Sequence, residues 1–95
     1  MSYSLHPDAA TDLTEAASFY RRKAGAALAS RFLDEFERVA RLLVDHPALG
    51  TPLLQGRRIF PLRFFPYSVV YRGTDEGLLI LLVRHQRRAP RYFQK

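Results

Sequence analysis

Arginine is the residue of this 95-residue chain whose number and spacing could do chemistry. There are thirteen Arg against two Lys, Lys23 and Lys95. Residues 57–95 hold nine basic groups and two acids, Asp75 and Glu76, and carry +7; residues 1–56 hold six basic and seven acidic groups and sum to −1. A coding preference for Arg would explain the ratio but not this one-sided placement. A guanidinium stays charged and offers a planar fork of donors that suits phosphates and carboxylates. Set along a rigid, strand-like half, such groups point to a polyanion or a large acidic surface rather than to a small neutral ligand. The candidate contact residues are Arg57, Arg58, Arg63, Arg72, Arg84, Arg87, Arg88 and Arg91.

Other chemistries are thinly represented. His6 and His46 each precede a proline at a helix end, where they are expected to cap or fill turns. His85 lies near Arg84, Arg87 and Arg88, which disfavour its protonation; it is the one histidine placed to act as an acid or base near neutrality. Tyr92 and Phe93 lie among Arg87, Arg88, Arg91 and Lys95, an interleaving that stacks on bases or tucks onto a core. There is no Cys, no His/Asp/Glu spacing that suits a metal, no glycine-rich phosphate loop and no nucleophile elbow. No metal or cofactor is therefore expected. The carboxylates fall mainly on helices, where solvation is their expected role.

The elements that must position these groups can be read from periodicity. A chain of this length supports one domain over residues 1–95, able to bury roughly 65% of its unfolded surface. No apolar run approaches the ~20 residues of a membrane span and no secretory leader is legible, so a cytoplasmic protein without membrane contact is expected. Ser2–His6 alternates and reads as a short edge strand. Pro7 opens a helix to about Lys23, with Leu13, Ala16, Ala17 and Tyr20 in a stripe, and Gly25 ends it. Leu28, Phe32, Phe36, Val39 and Leu43, widened by Ala29, Leu33 and Ala40, define a second helix from Ala26 to about Asp45. His46–Pro52 is a stiff Pro/Gly connector. Arg57–Phe65, Tyr67–Arg72 and Leu78 to about Arg87 read as strands, broken at Pro66 and by the turn Gly73–Gly77. The order β-α-α-β-β-β gives an α+β fold, an N-terminal helical hairpin packed on a mostly antiparallel sheet.

Alternation sorts the strands into faces. Tyr67, Val69 and Tyr71 are assigned to the helix side, with Phe60, Leu62 and Phe64 as the apolar set of the preceding strand. His85 follows Leu79, Leu81 and Val83. The opposite face then displays Arg63, Arg72, Arg84 and Arg88, unless a bulge shifts the register. Such a face fits nucleic acid or an acidic partner, and equally a solvated surface that keeps the sheet soluble.

In order and spacing, several segments resemble the RelE/ParE superfamily of type II toxin–antitoxin toxins over essentially the whole chain. They are Leu5–Tyr20, the connector His46–Pro52, Arg57 and Arg58, the strand Phe65–Arg72, and the ending His85–Phe93. The resemblance implies a growth-inhibiting toxin of a plasmid-stabilisation system, neutralised by a cognate antitoxin. RelE-like members cleave mRNA in the ribosome with sheet-face cations and a C-terminal Arg with Tyr or His; ParE-like members poison DNA gyrase without a catalytic step of their own. On the first pattern Arg63, His85, Arg88 and Tyr92 would be the catalytic candidates. However, the two strand lysines of RelE are here Ile59 and Pro61, and its critical strand arginine is Ser68. Losing three cations would remove several kcal/mol of stabilisation from a phosphorane. The connector and the Pro66–Tyr71 strand look closer to ParE. The expectation is thus a gyrase-binding inhibitor, with a ribosome-dependent mRNA endoribonuclease as the alternative.

Overall fold

The computed structural model describes residues 2–87. Strand β1 (Ser2–Leu5) leads into α1 (Pro7–Ala24), and α2 (Ala26–Asp45) returns antiparallel to it. A 3₁₀ turn (Pro47–Leu49), the two-residue strand β2 (Thr51–Pro52) and a second turn (Leu54–Gly56) follow, then β3 (Arg58–Pro61), β4 (Tyr67–Thr74) and β5 (Gly77–His85). The sheet order is β1-β5-β4-β3-β2. β1 lies parallel to β5 on one edge and every other pairing is antiparallel. The expected α+β architecture is what forms, with β2 as an extra short strand inside the connector.

Local chemistry sets the helices. His6 caps α1: its Nδ1 accepts the Asp8 N–H at 3.0 Å, and Pro7 supplies a fixed φ where no donor is needed. Gly25, at φ +95°, turns the chain between the helices. In α2 the buried set is Ala29, Phe32, Phe36, Val39, Ala40 and Leu43, matching the expected stripe except for Leu28, which packs half-buried against the core, and Leu33, which lies 40% exposed. Ala9, Leu13, Ala16 and Ala17 of α1 complete the hairpin side of the core, and the small residues let the helices approach closely.

A bulge corrects the face assignment. Val70 pairs with Leu82 but Tyr71 pairs with Ile80, so Leu81 is an extra residue on β5. Parity on β5 therefore flips at Leu81: Leu78 and Ile80 before it, then Val83 after it, face the helices. Leu79 and Leu81, expected beside Val83, are half-exposed and lie outside the buried core. Ser68 and Val70, on the side away from the helices, are also buried, so that face is less open than alternation implied.

Tyr71 fixes the connector. Its hydroxyl donates to the Pro47 carbonyl at 2.7 Å and accepts the Gly50 N–H at 2.9 Å. Burial raises its pKa, so the donor proton is retained. Gly50 must be glycine, because a Cβ there would lie 2.6 Å from that hydroxyl. Arg58 adds bonds to the carbonyls of Gly50 (2.8 Å) and Ala48 (3.2 Å). Tyr71→Phe leaves both backbone groups short of a partner, an expected loss of about 1–3 kcal/mol in denaturant unfolding with the secondary structure unchanged.

Candidate functional site

Among the described residues, two of the expected cations are drawn into the fold. Arg58 is spent on the connector carbonyls. Arg84 bends back over the sheet edge to Asp12 of α1, Nη1 to Oδ1 at 3.3 Å, with side chains only 17% and 10% exposed. The same carboxylate accepts the Val83 N–H at 2.9 Å through Oδ2. Asp12 thus caps the edge of β5 where β1 has ended, a role that the expectation of solvated helix carboxylates missed. Nothing in the local sequence signals it, because the partners are more than seventy positions apart. The Arg84 Nε is buried without a hydrogen-bond partner. Arg84 is thereby removed from the four-arginine surface that alternation suggested.

Arg63, Arg72 and Arg87 remain solvent-exposed, and Arg57 is half-buried. Arg72 makes only a long 3.5 Å contact to the Gly73 carbonyl. Arg87 lines an open groove of about 810 Å³ between α1 and the ends of β4 and β5. Asp12, Glu15, Arg22 and Arg84 give that groove both signs of charge, and Phe19, Tyr20, Tyr67 and His85 give it aromatic surface. His85 is held in place: its ring stacks edge-on against Tyr67 at 5.2 Å, and its Nδ1 accepts the Arg87 N–H at 3.1 Å. Arg88, Arg91 and Tyr92 lie outside the described residues. Among the described residues no cluster of three or more potential ligands could hold a metal.

The turn between β3 and β4 departs most from its expected form. Arg57–Phe65 reads as one strand, but β3 ends at Pro61. Phe64 takes φ +69°, which breaks the alternation: Leu62 and Phe65 are both buried and Phe64 is 92% exposed. A left-handed backbone costs a side-chain-bearing residue roughly 1–2 kcal/mol, so surrounding contacts must hold it. Leu62 donates to the Tyr67 carbonyl at 2.9 Å and Tyr67 to the Phe65 carbonyl at 2.7 Å. The Arg63 N–H donates to Glu35 Oε2 at 2.7 Å. Glu35 is itself gripped in bidentate fashion by Arg38, both contacts at 2.8 Å.

The comparisons with known proteins fit this frame. Residues 3–90 match the family described as ParE toxin of type II toxin-antitoxin system, parDE. The chain belongs to the ParE toxin family. Toxin ParE2 of Mycobacterium tuberculosis, from strains CDC 1551 / Oshkosh and ATCC 25618 / H37Rv, is 36% identical over 89 residues, with 85% of this chain and 77% of the relative covered. A solved chain from the chromosomal ParDE system of P. aeruginosa superposes with a TM-score of 0.78 over 90% of this chain and 95% of that one. At 22% identity that likeness is one of fold. The ParE half of the superfamily resemblance is thereby established. In this ParE-type toxin the positions that differ from RelE are a half-buried Ile59, an exposed Pro61 and a buried Ser68. The nearest strand cation in register with Ser68 is Arg84, already committed to Asp12.

Two measurements check these ties. Asp12→Ala strands the Val83 N–H and leaves the Arg84 guanidinium largely buried and unpaired; we expect a loss of about 2–4 kcal/mol in chemical unfolding, with Asp12→Asn recovering part of it. Glu35 titrates below the usual carboxylate range, chiefly through the Arg38 hydrogen bond and despite partial burial, with the Arg63 N–H adding to the effect. A depressed carboxylate contributes stability above its unfolded pKa and loses it as pH falls through the folded value. Glu35→Gln should therefore cost about 1 kcal/mol at neutral pH, and the difference from wild type should shrink on acidification below roughly pH 4.

Proposed function

We propose that this ParE-family toxin arrests growth in the bacterial cytoplasm by binding DNA gyrase, and that a cognate antitoxin encoded beside it holds it inactive. The single observation behind the target is membership of the ParE family over residues 3–90. A binding role fits the surface: among the described residues, Arg63 and Arg87 are exposed at the end of the sheet where β4 begins and β5 ends, while Arg72 is exposed towards the other end of β4. Metal-free phosphodiester cleavage needs an acid, a base and cations around one phosphate. Here His85 is held by Tyr67 and by the Arg87 N–H, and Arg84 faces Asp12. A second partner, an antitoxin, is supported by the family's toxin-antitoxin description and by the structural relative's belonging to a ParDE system. The groove beside α1, with its mixed charge and aromatic surface, suits an amphipathic antitoxin segment that orders on binding.

Inducing the chain without its antitoxin in a bacterial host, while following mRNA integrity, translation and DNA breaks, tests the proposal. Double-strand breaks and a DNA-damage response within minutes, on intact mRNA, are expected. Codon-phased mRNA cuts and an immediate stop of translation would instead assign the ribosome-dependent endoribonuclease.

A further inference from the structure

The β3–β4 turn holds a residue that the fold does not use. Single exposed apolar side chains are ordinary on protein surfaces; Phe64 is distinguished by its backbone. It is 92% exposed and sits at φ +69°, a position where Gly or Asn would be at ease and a phenylalanine is strained. Among the described residues its ring packs on no other ring, whereas its neighbour Phe65 lies 5.2 Å from Tyr20 and 5.4 Å from Phe32. The strain is also held rigidly. Buried Leu62 and Phe65 anchor the turn on both sides, and Glu35 clamps its outer backbone through the Arg63 N–H. The result is a tethered turn that carries an exposed aromatic side chain next in the chain to an exposed arginine.

We propose that Arg63 and Phe64 form the anchor by which this toxin grips its protein target, Phe64 entering an apolar socket and Arg63 meeting a carboxylate at the rim. The inference rests on the reading of the chain as a toxin that binds a target protein. Aromatic residues and arginine dominate interface hot spots, and a preorganised anchor loses little entropy on docking. A nucleic-acid contact fits less well, because it requires a track of cations along the phosphates. Arg63 is the only charged residue from Ile59 to Tyr71. Such an anchor also needs a concave, prefolded partner, unlike a segment that folds into a groove, so the occupant is a folded target and not the antitoxin.

The test compares wild type with Phe64→Gly, Phe64→Trp and Arg63→Glu at matched soluble levels, by growth arrest on induction and by binding of the purified chains to gyrase holoenzyme. Glycine suits the φ, so Phe64→Gly should melt no lower than wild type. It should lose growth arrest and about 30-fold or more in gyrase affinity. Phe64→Trp should keep both activities, and Arg63→Glu, which preserves the backbone bond to Glu35, should lose both. A folded Phe64→Gly chain that arrests growth like wild type overturns the proposal. If wild type arrests growth without binding gyrase, the gyrase reading fails by itself, and the anchor is then judged by whether Phe64→Gly loses arrest.

Discussion

Four aromatic rings join the helical hairpin to the sheet, and most of what is distinctive about this domain depends on them. Tyr20 of α1, Phe32 of α2, Phe65 of the turn and Tyr67 of β4 meet with centroids 5.2–6.3 Å apart in five pairs, mostly edge-to-face. Such pairs contribute about 0.5–1.5 kcal/mol each beyond the area they bury. The cluster joins both helices to the start of β4 at one point. It also requires Phe65 to turn inward only three residues after Leu62 does the same, which the alternation of a continuous strand does not allow. The chain meets that demand by placing Phe64 in the left-handed region and sending it to solvent.

The connector and the β5 edge are held differently, by polar groups with low exposure. Tyr71 and Arg58 tie the connector after α2 to the central strands, and Asp12 closes the edge of β5 beyond β1. These bonds join segments far apart in the chain and satisfy backbone groups that would otherwise be buried without partners. They also use two of the arginines that make the C-terminal half so basic. Among the described residues of that half, Arg63 and Arg87 are exposed where β4 begins and β5 ends, and Arg72 is exposed towards the far end of β4.

Much of the fold was legible in the residues. The 3–4 spacing in α1 and α2, Pro7 and Gly25 at their ends, and the prolines of the connector are local signals, and local signals survive in a lone sequence. The resemblance to ParE rested on the same kind of feature, short segments in a fixed order. The faces of β5 were not legible, because a single extra residue, Leu81, reverses the parity of all that follows. The fate of Phe64 and Phe65 was hidden for a related reason: alternation cannot reveal where a strand stops.

By itself the sequence determined the fold class, the family, the one-sided charge and the absence of a cysteine-based site. Composition, periodicity and turn chemistry act within a few residues, and they agree with one another along this chain. Only the tertiary structure decided which arginines are spent and which are free, that Asp12 and Glu35 are structural rather than solvated, and that one phenylalanine stands strained on the surface. Those outcomes depend on partners 8 to 72 positions away in sequence, and no local rule selects among such partners until packing brings them within 3 Å or so of one another.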